Sequence, residues 1–198
     1  MIHRVCSSLC MLGASVMFAT GPLTAQSSRE YQPATDGEAK VAIRANRDIY
    51  PLDVQDSLQR YAKTLVVWPG IVRRISYSAK GDSLSLVVEH HYFDWREDHG
   101  CQRELYFVSP RGEGLFTVTI PSPASDGTQR FSGKPNPQSF VIVYGTPEKL
   151  QSVDGQSAVV LIASVVNSIE PRWYLTDAFS YGRAFANFHL IKVPRCSS

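Results

Sequence analysis

The chain has 198 residues, of which 43% are hydrophobic and 19% are charged, and its formal net charge at pH 7 is +2. This composition excludes a disordered polyelectrolyte and allows a single domain with a buried core. The near balance of charges also speaks against a protein that neutralises several phosphates, because such proteins usually carry a basic excess. We therefore expect no nucleic-acid partner.

The first 25 residues have the pattern of a secretory signal peptide. Arg4 precedes an uncharged run over residues 5–18, and residues 23–25 (LTA) provide small residues for cleavage before Gln26. The run is shorter than the roughly 20 apolar residues that a membrane span needs, and no later apolar stretch is long enough. The sequence predicts an exported protein, periplasmic or secreted and possibly peripheral to a membrane, with no transmembrane span in the mature chain.

Export determines how the cysteines are interpreted. Cys6 and Cys10 lie in the signal peptide, so the mature chain keeps Cys101 and Cys196. An even pair in an oxidising compartment is a candidate disulfide. Because Cys196 lies near the chain end, the bonded and the free forms both remain open.

The mature chain begins with a polar segment and then a helical pattern. Residues 26–40 have little to bury, which predicts a flexible leader. In residues 53–63, Val54, Leu58 and Tyr61 are spaced as on one face of a helix, and an aspartate at the start can cap the first turn. We expect one short helix there, at the beginning of a single folded domain over residues 41–198.

The remaining pattern is one of extended runs. In the first run, Pro69-Gly70 interrupts the strand pattern and predicts a bend or bulge that lets one strand serve two sheet directions. In the second, the alternation changes phase near His90-His91, which predicts a one-residue bulge. The five runs cover residues 65–77, 83–95, 115–120, 140–144 and 158–166.

Five short strands, a kinked first strand and little helix predict a mainly β protein, a small OB-like or Greek-key barrel with one short N-terminal helix. A β-sandwich is the alternative. The fourth run is expected to end at residues 145–147 (GTP), and the fifth is apolar on both phases, as in a strand covered on both sides. An aromatic extension, residues 179–193, follows as an edge strand or an outer helix.

Several stretches resemble the Slp family of bacterial outer-membrane lipoproteins over about residues 64–173. They are VVWPGIVRRI in the first strand, Glu89, RGEGLF at 111–116, FVIVYG at 140–145 and IASVVNSIEPRW at 162–173. The resemblance implies an OB-like barrel in the bacterial envelope. The lipobox cysteine of that family is absent, since Gln26 stands after the cleavage site, and a free periplasmic protein is therefore expected in place of a lipid-anchored one.

The densest group of chemically able side chains lies in residues 89–101. Imidazole and carboxylate groups together can hold zinc and activate water, so a metal-dependent hydrolase is one alternative. Adjacent histidines on a regular strand point to opposite faces, however, and a polar strand end with no metal is the preferred interpretation. The weak candidate ligands are His90, His91, Asp94 and His99.

The sequence contains no recognised nucleophile or phosphate-loop motif in its mature part. We therefore expect a protein that is not an enzyme and has no cofactor. OB-like barrels often bind ligands on exposed aromatic side chains, although aromatic residues in strands are also good core fillers. The speculative ligand-binding residues are Tyr77, Tyr92, Trp95 and Tyr106.

Together these observations predict an exported, non-enzymatic envelope protein that acts as a binding, accessory or structural subunit at the periplasmic side of a membrane. Its expected partner is an envelope or membrane protein complex. A saccharide- or ligand-binding OB-like module is the second alternative, beside the hydrolase.

Overall fold

The computed structural model describes residues 28–78, 83–98, 106–121, 131–132, 135–169 and 173–175. Three helices lie within these ranges: α1 (Asp36–Ala42), α2 (Pro51–Asp56) and α3 (Leu58–Tyr61). The strands there are β1 (Ser28–Glu30), β2 (Val66–Tyr77), β3 (Ser83–His90), β4 (Arg96–Asp98), β5 (Tyr106–Val108), β6 (Leu115–Pro121), β7 (Phe131–Ser132), β8 (Phe140–Val153), β9 (Gln156–Ile169) and β10 (Trp173–Leu175).

Five of these strands close into a barrel. Strand β2 pairs antiparallel with both β3 and β8, β3 pairs antiparallel with β6, and β8 pairs antiparallel with β9. The barrel is closed by a parallel pairing of β6 with β9. This closed arrangement confirms the prediction of a mainly β, OB-like barrel, and the alternative of a β-sandwich is wrong.

The barrel interior is filled by alternating apolar side chains. Trp68 on β2 and Phe116 on β6 are fully buried, with ring centroids 5.3 Å apart in an edge-to-face contact. The Trp68 indole Nε1–H donates to the carbonyl oxygen of Ile49 at 2.7 Å, which satisfies its polar atom. Helix α2 adds the fully buried Val54 to this interior cluster.

A second apolar cluster lies on the outside of β2, β8 and β9. The barrel strands contribute to it the side chains that point away from the interior, such as Ile71, Ile142 and Val165. It is covered by residues 28–47, 91–98 and 106–109, which we call the outer layer. One face of these strands is covered by the barrel interior and the other by the outer layer. Their side chains are therefore apolar on both faces, as predicted for the fifth run.

The first barrel strand differs from the prediction in the position of its bulge. Pro69 and Gly70 lie in regular pairing, and the register shift falls between Val72 and Arg74. Gly70 is required for close approach, since a Cβ there would lie 2.3 Å from the carbonyl oxygen of Glu89. The strand does serve two neighbours, as predicted, because Gly70 and Ile71 pair on both sides.

Two other strand predictions need correction. Strand β3 ends at His90 without a bulge, although the next amide, His91 N–H, still donates to the carbonyl of Pro69 on β2 at 3.1 Å. Strand β8 continues through residues 145–147 to Val153. Register shifts after Tyr144 and after Pro147 bend the strand there, so the Gly-Thr-Pro sequence does not end it.

The N-terminal predictions also differ from the structure. The helix expected over residues 53–63 is divided at Ser57, whose φ of −147° is not helical. The predicted leader over residues 26–40 contains β1 and most of α1, with Thr35 as the N-cap and a fully buried Glu38. The polar composition of residues 26–40 wrongly suggested a flexible segment, because the Glu38 carboxylate is buried together with its hydrogen-bond donors.

Several predictions fall outside the described residues. These are the signal peptide over residues 1–25 and the aromatic extension over residues 179–193. Within the described part of the chain, no helix combines the length and the hydrophobicity that crossing a membrane requires.

Candidate binding cleft

Two of the four predicted ligand-binding aromatics lie together in a cleft between the outer layer and the first barrel strand. The cleft is small, with a cavity volume of about 10 Å³, enough for about one water molecule. Trp95 and Tyr92 form part of its wall, and both are only partly buried. The lining residues are Arg47, Tyr50, Val67, Pro69, His90, Tyr92, Phe93 and Trp95.

Three rings meet edge to face in the deeper part of the cleft. The centroids of Tyr50 and Tyr92 are 5.4 Å apart, those of His90 and Tyr92 are 5.2 Å apart, and those of Tyr50 and His90 are 5.9 Å apart. Edge-to-face contacts of this kind fix the ring planes relative to one another. The aromatic wall is therefore pre-organised by its own packing.

Arg47 supplies the single charged side chain among the described residues that line the cleft. Its guanidinium carbon lies 4.3 Å from the ring centroid of Trp95, the geometry of a cation–π contact. Its Nη1 also forms an ion pair of 3.0 Å with Glu30 Oε1. The Trp95 indole and the Glu30 carboxylate together hold the Arg47 guanidinium at the mouth of the cleft.

His90 lies at the end of β3 and is 1% exposed. Its Nδ1 accepts a hydrogen bond of 3.1 Å from the backbone N–H of Glu113, so the proton of the neutral ring is on Nε2. Burial, and secondarily the neighbouring His91, lowers the pKa of His90 to about 3. The ring is neutral at physiological pH, and its buried Nε2–H has no partner among the described residues.

Glu113 fixes the position of the cleft wall from behind. Its Oε1 accepts from the Tyr92 hydroxyl at 2.8 Å, and its Oε2 accepts from the backbone N–H of Leu52 at 3.1 Å. Gly112 lets this segment approach β3, because a Cβ at Gly112 would lie 1.6 Å from the carbonyl oxygen of His90. The Glu113 carboxylate therefore connects its own segment to Tyr92, just after β3, and to the start of helix α2.

The predicted metal ligands do not converge. His91 is directed away from the cleft, where its Nδ1 is 2.8 Å from the carbonyl oxygen of Ser109 and its Nε2 is 3.8 Å from Glu89 Oε2. Glu89 is itself paired with Arg73. Asp94 is partly buried, and His99 lies outside the described residues. The described residues contain no group of three or more His, Cys, Asp or Glu side chains that could hold a metal ion.

The other predicted residues lie elsewhere. Tyr77 is 72% exposed at the far end of β2, and Tyr106 is buried in the outer layer with its ring 5.8 Å from that of Tyr31. Cys101 and Cys196 are outside the described residues, so their disulfide stays a prediction.

The sequence interpretation missed Arg47, Tyr50 and Glu113. The first two lie on the connection between α1 and α2, and no local pattern brings that connection to residue 92. Glu113 belongs to the RGEGLF stretch, where two glycines around an acidic residue are a signal of close backbone approach. That signal was available before the structure.

A second buried polar cluster holds the outer layer on the barrel. The Glu38 carboxylate accepts from the Tyr31 hydroxyl at 2.8 Å, from Asn167 Nδ2 at 3.0 Å and from the backbone N–H of Ala34 at 2.7 Å. Asn167 lies on β9, so the contact crosses from the outer layer to the barrel. These donors compensate for the desolvation of the charge.

The face on which OB barrels commonly bind ligands is partly covered by this chain itself. That face is formed by the second and third barrel strands, here β3 and β6. The tip of the β8–β9 hairpin, residues 147–158, lies against it and is called the hairpin arm. Val153 packs with Val87, and Gln151 Nε2 donates to Thr117 Oγ1 at 2.6 Å. Both Val87 and Thr117 are buried as a result.

The hairpin arm has a tight turn at its tip. Asp154 and Gly155 both have positive φ, 51° and 81°, as the primed two-residue turns of β-hairpins require. Arg74 on β2 approaches Asp154 at 3.4 Å. None of the described residues that line the cleft belongs to the hairpin arm.

Comparison with solved structures finds proteins with a similar fold. The chain is similar to the small single-stranded DNA-binding protein from Streptomyces coelicolor, with 16% sequence identity and a TM-score of 0.33, over 54% of this chain and 94% of that chain. No protein-family model and no curated protein matches the chain. The fold assignment rests on the strand pairings.

Proposed function

We propose that this protein is an exported, non-enzymatic binding module of the bacterial envelope and that the cleft around Tyr92 and Trp95 is its binding site. The observation that carries the proposal is the fixed aromatic wall with the Arg47 guanidinium over Trp95 at the open end. A stacked arginine beside rigid rings is a common composition of binding sites, because it combines apolar area with oriented donors.

The polar groups near the cleft support binding over catalysis. His90, with a pKa of about 3, is a poor general base at neutral pH. Both carboxylate oxygens of Glu113 are engaged by Leu52 and Tyr92. These side chains shape the cleft, and a general acid–base pair for catalysis would need at least one of them free.

The envelope location rests on the sequence. The signal-peptide pattern of residues 1–25 and the resemblance to the Slp family both support export, and the missing lipobox cysteine supports a periplasmic protein without a lipid anchor. A partner in an envelope or membrane protein complex fits this location. Fusion of residues 1–25 to a reporter that is active after export tests the location, and a reporter that stays in the cytoplasm would contradict it.

The binding function is tested by retention of solubilised envelope components on the immobilised protein. Tyr92→Ala and Trp95→Ala remove parts of the cleft wall, and we expect each to reduce the retained components at least tenfold. Tyr77→Ala is the matched control, because it removes an exposed aromatic ring outside the cleft. Equal retention by the wild type and both cleft variants would overturn the proposal.

A further inference from the structure

We propose that the hairpin arm is a hinged cover, which opens from the outer β3–β6 face while the barrel stays folded. In the closed state the arm shields the middle of this face from solvent and from any partner. In the open state the face becomes accessible. The inference goes beyond the proposed function, which lies in the cleft and not on this face.

The covered part of the face is a row of three side chains that runs across three barrel strands. Arg74 on β2 pairs with Val87 on β3, and Val87 pairs with Thr117 on β6. Residues directly opposite each other in neighbouring strands point to the same side of the sheet. The neighbours of Val87 and Thr117 along their own strands point into the barrel, so this row points outward.

The hairpin arm crosses this row from β6 through β3 to β2. Each member of the row meets one residue of the arm, and the contacts are Thr117 with Gln151, Val87 with Val153 and Arg74 with Asp154. Although they point outward, Val87 is only 8% exposed and Thr117 only 4%. The arm therefore lies over the row and accounts for its burial.

The contacts between the arm and the row are few and weak. Arg74 and Asp154 are 3.4 Å apart, and both side chains are more than half exposed, so water screens their attraction. The hydrogen bond from Gln151 joins two neutral side chains, which contributes little net free energy. Among the described residues, the apolar cluster under the arm has three buried members, whereas the interior cluster has fifteen. The arm is therefore held much less firmly than the barrel.

The base of the arm has the features of a hinge. The pairing of β8 with β2 ends at Gly145, and the pairing of β9 with β6 begins at Val159. Between these points, in the described ranges, the two strands of the arm pair only with each other. Strand β8 also has register shifts after Tyr144 and after Pro147, where its path bends. The arm can therefore turn as a unit and keep its own hydrogen bonds.

Reaction of introduced thiols with a maleimide tests this motion in the purified protein. Val87→Cys places a thiol under the arm, Val118→Cys places one in the barrel interior, and Tyr77→Cys places one on the exposed end of β2. Mass spectrometry of the digested protein distinguishes each introduced thiol from Cys101 and Cys196.

We expect the Val87→Cys thiol to react at least tenfold faster than the Val118→Cys thiol and at least tenfold more slowly than the Tyr77→Cys thiol. Its rate should also depend less steeply on urea than that of the interior thiol, because opening the arm exposes less surface than unfolding the barrel. An arm with a purely structural role would give both buried thiols the same urea dependence. Ala163→Cys provides a second interior thiol without removing side-chain volume.

A variant of the arm and a matched control complete the test in the Val87→Cys background. Val153→Ala removes the buried apolar side chain of the arm and should raise the labelling rate about fivefold. Glu148→Ala truncates an exposed side chain of the same arm and should leave the rate unchanged.

Equal rates and equal urea dependences for the Val87→Cys thiol and the interior thiols would overturn the inference, because the arm would then leave the face only when the barrel unfolds. A Val87→Cys thiol that reacts as fast as the Tyr77→Cys thiol would overturn it as well, because the face would then not be covered. Equal effects of Val153→Ala and Glu148→Ala would show that the apolar contact does not hold the arm closed.

Discussion

The barrel interior and the outer layer are packed by different chemistry. Every side chain of the interior cluster is apolar, and the only indole among them donates to a nearby carbonyl. The outer layer instead buries polar groups, with Glu38 and Asn167 in one hydrogen-bonded cluster. His90 and His91 are buried where the chain leaves the barrel.

The difference shows which forces specify each region. The interior needs only alternation and volume, because apolar side chains gain free energy wherever they are buried. The outer layer is joined to the barrel by contacts between distant residues, such as Asn167 Nδ2 and the Tyr31 hydroxyl, 136 positions apart and 2.6 Å from each other. Hydrogen bonds of this kind are satisfied only in a narrow range of geometries. They therefore fix the position of the outer layer on the barrel, and with it the shape of the cleft.

The largest effect is expected when one tryptophan in each region is replaced by alanine. Trp68→Ala should lower the free energy of unfolding by about 3 to 5 kcal/mol, because it leaves a cavity in the barrel and an unpaired Ile49 carbonyl. Trp95→Ala should cost about 1 kcal/mol, since that ring is partly exposed. Urea unfolding followed by circular dichroism measures both, and equal costs would contradict the distinction between the regions.

The second effect is a pH dependence that arises from His90. Its pKa is about 3 in the folded state and about 6.5 in the unfolded chain, so the unfolded chain binds more protons between these values. Folding stability should therefore fall as the pH drops from about 6.5 towards 3, by an amount on the order of a few kcal/mol.

The measurement is urea unfolding at pH 7 and pH 4 for the wild type and for His90→Gln. The variant lacks the titrating imidazole, so its loss of stability on acidification should be smaller than that of the wild type. Carboxylates elsewhere contribute equally to both proteins and cancel in the comparison. An identical pH dependence of the two proteins would show that His90 is not buried in neutral form.

The third effect concerns the polar attachment of the outer layer. Glu38→Ala leaves the Tyr31 hydroxyl and the Ala34 amide without their acceptor, which should cost about 2 to 3 kcal/mol. Glu148→Ala, which removes an exposed carboxylate, should change stability by less than about 0.5 kcal/mol. Thermal unfolding measures both, and similar melting temperatures for the two variants would contradict the attachment.

The smallest effect is expected at the hairpin arm. Arg74→Gln breaks an ion pair with Asp154 in which both side chains are more than half exposed, and such pairs contribute about 0 to 0.5 kcal/mol. Val153→Ala should cost more, about 1 kcal/mol, because it uncovers Val87. If the arginine variant were the more destabilised one, the arm would be held by charge and not by packing.

The same division explains how far the sequence predicts the structure. The alternation of Leu84, Leu86 and Val88, and that over residues 115–120, predicts barrel strands, because the period of two is set by the strand itself. The fifth run has apolar side chains on both faces, which likewise predicts a strand covered on both sides. These features are local, and the barrel follows from them.

The lining of the cleft was predicted only in part. Tyr92 and Trp95 are in the cleft, but Arg47 comes from a connection whose path depends on the burial of Glu38 in α1. A buried carboxylate in a polar segment has the same local sequence signature as a solvated one, so the leader was misread. The continuation of β8 past Pro147 was missed for a similar reason, since its bulges depend on the partner strand.

Native-state hydrogen exchange tests the central claim that the cleft lies between a closed barrel and an outer layer that polar contacts attach to it. The amides of Tyr31 and Tyr92, which donate to the Trp95 and Arg111 carbonyls, report on the outer layer. Those of Val118 and Val143 report on the barrel. We predict a lower opening free energy for the first pair than for the second. A single opening free energy shared by all four amides would contradict the account.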